Sequence, residues 1–282
     1  MMQTLRLGIS TCPNDTFAFH ALMHRLVDWQ GFDFTIELLD IQQLNSRLFQ
    51  GEFDVCKSSF HAALYLADRM VILPSGSALG FGVGPLLLAA RAGTMPQTPQ
   101  QRTLCPGEHT TATLLFRLFY PETSSVEQVI FSEIMPRLKD AEADFGVCIH
   151  EGRFTWQQQG LYLVEDLGSR WEIETGFPLP LGGILGSRSL SIDTLARVQS
   201  VIRDSLKYAL AHREETLPTM RQYAQEFNDE VLFQHVDLYV NDWTVELGEL
   251  GQAALDALSM RATAIGLLPS NQPRLEVMLC RE

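Results

Sequence analysis

The chain has 282 residues, of which 46% are hydrophobic and 20% are charged, a composition typical of a globular protein with about two domains. It carries 21 basic and 34 acidic residues, so its formal net charge is −13 at pH 7. This balance argues against nucleic acid or an anionic membrane as partner, because both bind to a positively charged face. A small anionic ligand remains compatible with it, since helix amides can hold an anion locally.

The amino terminus and the cysteines bear on the compartment. The first residues, MMQTLRLGIS, run straight into a strand-like segment without an apolar leader, and no window reaches the roughly 18 apolar residues of a membrane span. The five cysteines are odd in number and no two are spaced C-x-x-C, so the sequence predicts neither a disulfide framework nor a zinc knuckle. We expect reduced, mostly buried thiols in a cytoplasmic protein that is a monomer or a homodimer.

Strands and helices alternate along the first third of the chain. The apolar patterns predict strands at residues 5–9, 34–39, 53–56 and 83–90. They predict helices at residues 16–26, at 41–49 and from Ser58 onward. The run at 83–90 is continuously apolar, as expected for a strand buried on both faces.

A Pro- and Thr-rich loop at 93–99 interrupts this pattern, and the alternation then resumes. Strands are predicted at 102–105, 126–131, 145–149 and 182–185, with helices from Thr110 and at 132–141. From Ser191 onward the spacing is mainly helical. The sequence thus predicts an α/β protein with lobe I at residues 1–90 plus 187–282 and lobe II at residues 91–186.

Three predicted helix starts carry side chains suited to an anionic ligand. A helix start offers unpaired amides and partial positive charge, which favour a carboxylate. Serine and threonine at such positions most often only cap the helix, so convergence of two starts across a cleft is what would indicate a binding site. The candidate binding residues are Asn14, Asp15, Lys57, Ser58, Ser59, Thr110 and Thr111.

His150 directly follows the predicted strand at 145–149, and ligands of open α/β sheets bind at the carboxyl ends of strands. Its imidazole, with an ordinary pKa of about 6.5, can accept a proton near neutral pH. The alternative is a packing role beneath Phe154 and Trp156. Cys148 lies on the same strand, but its apolar surroundings favour a core position over a nucleophile.

Other motifs point away from metals and nucleotides. His20 and His24 are four residues apart but lack a third ligand, so packing explains them better than a metal site. The glycine-rich segment 80–85 lacks G-x-G-x-x-G spacing and precedes a strand, which favours a crossing between lobes. Nothing in the sequence calls for a metal or an organic cofactor.

Several segments together resemble the 1,4-dihydroxy-6-naphthoate synthases of the futalosine route to menaquinone. They are LGISTCPNDTFAFHAL, KSS at 57–59, SGSALGFGVGPLL, HTTA at 109–112, IHEGRFTW and GFPLPLGGI. The likeness keeps its order from about residue 4 to beyond Tyr239, and the stretch after about Gly251 carries no such motif.

The resemblance implies a type II periplasmic-binding-protein-like fold, with two α/β lobes around a central ligand cleft. It implies a lyase that converts a small carboxylate substrate, cyclic dehypoxanthinylfutalosine, without a cofactor and with His150 as the general base. Lys57, Ser58 and Ser59 would line one lobe, and Thr110 and Thr111 the other. Two alternatives stay open: a non-catalytic binding protein for a small organic acid, and the sister pathway enzyme chorismate dehydratase.

Overall fold

Two mixed β-sheets organise the chain in the computed structural model, which describes residues 3–150, 152–224 and 228–279. In chain order the strands are β1 (Gln3–Ser10), β2 (Phe32–Leu39), β3 (Val55–Ser59), β4 (Met70–Ile72), β5 (Ala78–Gly80), β6 (Leu86–Ala89), β7 (Arg102–Cys105), β8 (Ser125–Gln128), β9 (Phe145–Cys148), β10 (Tyr162–Asp166) and β11 (Leu179–Ser187).

The helices lie between the strands and fill the carboxyl-terminal third. They are α1 (Pro13–Ala18), α2 (His20–Met23), α3 (Ile41–Phe49), α4 (Phe60–Leu66), α5 (Thr111–Phe119), α6 (Phe131–Lys139), α7 (Gly152–Thr155), α8 (Leu167–Thr175), α9 (Ile192–Ala211), α10 (Leu217–Tyr223), α11 (Asp229–Tyr239), α12 (Asp242–Val245) and α13 (Gly248–Ala264). Short 3₁₀ turns occupy Trp156–Gln159 and Arg213–Thr216.

The first sheet has the strand order β2-β1-β3-β11-β4, with β5 also paired to β11. Strands β1, β2 and β3 are parallel, whereas β11 runs antiparallel to β3, β4 and β5. The second sheet has the order β10-β6-β9-β7-β8, in which β7 is parallel to β8 and β9 while β6 is antiparallel to β9 and β10. Each of the strands β1, β3, β7 and β9 contains or precedes candidate site residues.

Local sequence explains where the helices next to these strands begin. The Asp40 side chain accepts a hydrogen bond from the amide of Gln42 and caps α3, and Thr110 caps α5 through the amide of Thr113. Pro13 occupies the first turn of α1, where its missing N–H removes no helical bond. The single helix predicted at 16–26 is instead two short helices, because the backbone leaves helical geometry at Phe19.

The core explains why the sequence of β6 is continuously apolar: both faces of this strand are covered. Leu87 packs in a cluster that extends to β11 and α13, and its neighbour Leu88 packs on the opposite face with Leu104 and Ile134. Both leucines are fully buried, as in a strand covered on both sides. A third cluster fills the space between the first sheet, α1 and α9.

The two sheets divide the chain at other positions than the predicted 90/91 and 186/187. Strand β6, assigned to lobe I, pairs with β9 and β10 in the second sheet, and β11, assigned mostly to lobe II, pairs with β3 in the first. The chain therefore crosses between Gly80 and Leu86, and again between Asp166 and Leu179. Apolar periodicity marks a strand as buried, but it does not say which sheet the strand joins.

The two crossings touch each other through glycines. A Cβ atom placed on Gly84 would lie 2.2 Å from the Cα atom of Gly168, so only glycine allows this backbone approach. This agrees with the prediction that segment 80–85 is a crossing. Within the described ranges, no helix is long and apolar enough to cross a membrane.

Candidate functional site

A cavity of about 640 Å³, including its open mouth, lies between the two sheets. The first sheet and its helices contribute Asn14, Asp15, Lys57, Ser59 and His235, and the second sheet and its helices contribute Thr110, Thr111, Ile149 and His150. The cavity thus brings together seven of the eight residues predicted from the sequence, and Ser58 is the exception.

His150 lies in the turn after β9, with a left-handed backbone (φ 55°) that is uncommon outside glycine. The Sγ atom of Cys12, from the other side of the cavity, lies 3.3 Å from each ring nitrogen, and the Phe131 ring packs edge-on at 4.8 Å. Burial lowers the pKa of His150 to about 4, with the Lys57 ammonium adding to the effect. The imidazole is therefore neutral at pH 7 and able to accept a proton. Glu151, the next residue, lies outside the described residues.

Lys57 and Asp15 form a buried ion pair. The Lys57 ammonium donates to the Asp15 Oδ1 atom at 2.6 Å and to the carbonyl of Gly76 at 3.1 Å, and both side chains are about 95% buried. Burial raises the pKa of the Asp15 carboxyl, and Lys57 opposes this shift. Because Asp15 already neutralises the ammonium, Lys57 lines the cavity without presenting a free positive charge.

Asn14 extends this network to His235. Its amide nitrogen donates to Asp15 Oδ1 at 3.2 Å, and its amide oxygen lies 3.0 Å from the Nε2 atom of His235. His235 lies on α11 and is 1% exposed. Four polar side chains from α1, β3 and α11 are thereby connected along one wall of the cavity.

Ser58 and Ser59 lie on opposite faces of β3, because successive side chains of a strand alternate. Ser59 lines the cavity, and its hydroxyl accepts from the Asn45 side chain at 3.2 Å. The Ser58 hydroxyl donates to Asn45 Oδ1 at 3.0 Å and lies away from the cavity lining. Ser58 is therefore absent from the cavity lining, and its hydroxyl supports the position of Asn45; a contact between Ser58 and a ligand stays a prediction.

Thr110 and Thr111 begin α5 at the opposite wall. The Thr110 hydroxyl donates to the carbonyl of Gly107 at 2.9 Å, and its own carbonyl lies 3.0 Å from the Nδ1 atom of His61. The Thr111 hydroxyl donates to the carbonyl of Leu181 at 2.6 Å. His61 follows the first-sheet strand β3 and Leu181 belongs to β11, so these bonds join the two sides of the cleft.

Sequence reasoning missed Cys12, Asn45 and His235. Cys12 stands two residues before Asn14, but a lone cysteine does not signal a ligand by itself, and Asn45 lies in the predicted helix 41–49, where no motif marks it. His235 lies among helical positions with ordinary amphipathic spacing, so only the tertiary structure brings it to the cavity.

Within the described part of the chain, His20, His24 and the cysteines show no sign of a second site. His20 and His24 both bond to the Thr219 hydroxyl, at 2.8 and 2.9 Å, which agrees with the packing role predicted for them. Among the described residues, no group of three or more histidine, cysteine or acidic side chains is placed to hold a metal ion. Cys12, Cys56, Cys105 and Cys148 are buried, and burial raises the pKa of Cys148 to about 12, as expected for a core position. Cys280 lies outside the described residues.

Comparison with known proteins supplies the family. Residues 5–264 match the family model described as Menaquinone biosynthesis. The chain is 43% identical over 273 residues to the 1,4-dihydroxy-6-naphthoate synthase of Thermus thermophilus, covering 96% of this chain and 99% of that protein. It is 42% identical over 277 residues to the 1,4-dihydroxy-6-naphthoate synthase of Streptomyces coelicolor, covering 96% of each.

Solved structures define the fold. A protein from Archaeoglobus fulgidus superposes with a TM-score of 0.87 at 32% identity, covering 94% of this chain and 98% of that one. The periplasmic aliphatic sulphonate binding protein of Escherichia coli superposes with a TM-score of 0.67 at 11% identity, covering 99% and 94%. This second likeness concerns the fold alone, and it confirms the predicted periplasmic-binding-protein-like architecture.

Proposed function

The chain belongs to the menaquinone biosynthesis family, and we propose that it is a 1,4-dihydroxy-6-naphthoate synthase that acts on cyclic dehypoxanthinylfutalosine with His150 as its general base. The observation that carries this proposal is the neutral imidazole of His150 inside a cavity shared by both sheets. The two relatives with this activity match the chain along 96% of its length, which supports the same reaction here.

The chemistry requires a base that is unprotonated at neutral pH. Removal of a proton next to an activated carbon starts an elimination and carbon–carbon cleavage, and the formation of an aromatic ring drives it to completion. An imidazole with a pKa of about 4 is neutral at pH 7 and can take this proton. The Cys12 and Phe131 contacts pack against the ring and limit its movement within the cavity.

The substrate carboxylate requires donors rather than a second base. Ser59 and Thr111 lie at the starts of α4 and α5, where the Ser59 hydroxyl and the first backbone amides of the two helices can donate hydrogen bonds to a carboxylate or a developing oxyanion. Because Asp15 neutralises Lys57, binding of the substrate carboxylate depends on these neutral donors. The hydrogen bonds between the two sides of the cleft hold those sides together, as the reaction requires because water must be kept from the reacting atoms.

The direct test is turnover. Purified protein is incubated with cyclic dehypoxanthinylfutalosine, and 1,4-dihydroxy-6-naphthoate is followed by liquid chromatography and mass spectrometry, with chorismate as a parallel substrate. We expect naphthoate from the first incubation and no loss of chorismate from the second. Consumption of chorismate would indicate the sister dehydratase, and tight binding of the futalosine derivative without turnover would indicate a binding protein.

A further inference from the structure

His235 and His150 bring two imidazoles to the same cavity from opposite sides. His150 follows strand β9 of the second sheet, whereas His235 lies on α11, which packs against α1 and β5 of the first. The ring centroids are 6.1 Å apart and both residues line the cavity. This spacing leaves His235 near any molecule that reaches His150.

The hydrogen-bond network fixes which nitrogen of His235 carries the proton. Asp15 Oδ1 accepts from the Lys57 ammonium at 2.6 Å and from the Asn14 amide nitrogen at 3.2 Å. Because the Asn14 nitrogen is turned toward the carboxyl group, its oxygen is turned toward His235. That oxygen can only accept, so Nε2 of His235, 3.0 Å away, must donate.

The other nitrogen, Nδ1, is then a lone-pair acceptor. It is buried and has no hydrogen-bond partner among the described residues. Burial lowers the pKa of His235 well below its ordinary value, and repulsion from the protonated form of His150 and from Lys57 adds to the shift, so the ring stays neutral. A buried acceptor without a partner is uncommon in folded proteins and costs free energy until one is supplied.

We propose that Nδ1 of His235 accepts a hydrogen bond from a hydroxyl group of the bound substrate, which makes His235 a substrate-binding residue that selects for a hydroxyl at that point. The identity of the substrate rests on the proposed function, whereas the hydrogen-bonding capacity rests on the Lys57–Asp15–Asn14–His235 network. A competing role is purely structural, with His235 serving only to hold Asn14.

Two substitutions separate these roles, because each amide retains one side of the imidazole. His235→Gln keeps a donor near the position of Nε2 and loses the acceptor at Nδ1. His235→Asn keeps an acceptor near Nδ1 and loses the bond to Asn14. Affinity for cyclic dehypoxanthinylfutalosine is measured by calorimetry in a His150→Ala background, where turnover is suppressed, and thermal unfolding is measured for each variant.

We expect His235→Gln to weaken affinity about ten- to hundredfold while its melting temperature stays close to that of the background. His235→Asn should lower the melting temperature more and affinity less, within about threefold. The reverse order of affinities would overturn the proposal and assign His235 the structural role. Intact binding and turnover in wild-type protein together with unchanged affinity in His235→Gln would overturn this proposal alone, whereas a wild-type protein that neither binds nor converts the compound overturns both.

A measurement with native His235 covers the case in which a variant does not fold. The ¹⁵N resonance of Nδ1 reports whether that nitrogen accepts a hydrogen bond. In the His150→Ala protein we expect this resonance to shift when the cyclic futalosine derivative saturates the site. A resonance that does not move at saturation would overturn the proposal.

Discussion

The two walls of the cavity are held in different ways. The first wall (Asn14, Asp15, Lys57 and His235) is connected within itself by the buried ion pair and the two Asn14 bonds. The second wall (Thr110, Thr111, Ile149 and His150) is held largely by contacts that reach across the cleft, to His61, Leu181 and Cys12. The first wall is therefore preorganised by the fold of one lobe, whereas the geometry of the second depends on the approach of the two lobes.

Arg153 adds to this dependence. Its guanidinium donates to the carbonyls of Gly82 and Gly84 in one crossing, and it pairs with Asp166 at the start of the other. Arg153 stands three residues after His150, so the turn that carries His150 is bonded to both crossings. We therefore expect substitutions on the second wall to affect mainly the reaction step, and disruption of the Lys57–Asp15 pair on the first wall to affect mainly stability.

The largest expected effect concerns the second wall. His150→Ala should lower kcat by about 10²–10⁴-fold, because a general base contributes this much to the rate. Its melting temperature and its affinity for the substrate should stay close to those of wild type, since the carboxylate donors lie elsewhere. Steady-state kinetics and calorimetry measure the two effects. Near-normal turnover in a His150→Asn protein would assign the histidine a structural role.

The same ring determines the acidic side of the pH profile. The pKa of His150 is lowered to about 4, so its ring stays unprotonated at pH values well below 6.5, the ordinary pKa of histidine. We expect kcat/KM to hold from pH 7 to about 5 and to fall tenfold per unit below about 4. A decline centred near 6.5 would show that the base titrates as an exposed histidine, and would contradict its burial.

Substitutions on the first wall should instead lower the free energy of unfolding. Lys57→Met leaves the Asp15 carboxylate buried without its cation, and breaking such a pair typically lowers the free energy of unfolding by about 3–5 kcal/mol. Arg6→Met is the matched control, because it breaks the more exposed pair with Asp54 and should cost at most about 1 kcal/mol. Denaturant unfolding measures both. Equal losses in the two variants would refute the view that the first wall is a stabilising network.

Acid should lower the free energy of unfolding through two buried histidines, His61 beside the cleft and His150 on the second wall. Burial lowers the pKa of His61 and of His150 to about 4, so on acidification from 6.5 the unfolded chain binds protons before the folded chain does. Each contribution is fully present above 6.5 and is lost as pH falls to about 4, by roughly 3 kcal/mol for each residue. Unfolding between pH 7 and 4.5 measures the slope, which His61→Gln should reduce. A slope unchanged in that variant would contradict the shift at His61.

The sequence predicts well what local chemistry determines. Helix 41–49 and strand 102–105 coincide with α3 and β7, because capping and alternation are local signals. The sheet that a strand joins is decided by tertiary packing, which local patterns do not show. The chain therefore crosses at 80–86 and 166–179, before the predicted boundaries at 90/91 and 186/187. The same distinction applies to the site residues. Local motifs predict the helix starts and His150, whereas only the tertiary structure brings His235, 85 residues after His150, to the cavity.

The smallest expected effect compares hydroxyls on the two faces of β3 and on α5. Ser59→Ala and Thr111→Ala each remove a hydroxyl that lines the cavity. The loss of Ser59 should weaken substrate binding by about 1–3 kcal/mol, because its hydroxyl can donate to the carboxylate, whereas the loss of Thr111 should weaken it less, because that hydroxyl already donates its hydrogen to Leu181. Ser58→Ala is the comparison, because its hydroxyl bonds to Asn45 and does not line the cavity, so its loss should weaken affinity less than the loss of Ser59 does. Thr111 also donates to Leu181 across the cleft, so its loss should additionally slow kcat, whereas the loss of Ser59 should act on affinity alone. Calorimetry in the His150→Ala background gives the affinities, and kinetics in the His150 protein give kcat. A drop in affinity for Ser58→Ala as large as that for Ser59→Ala would mean that β3 positions the site as a whole, and that neither hydroxyl contacts the ligand individually.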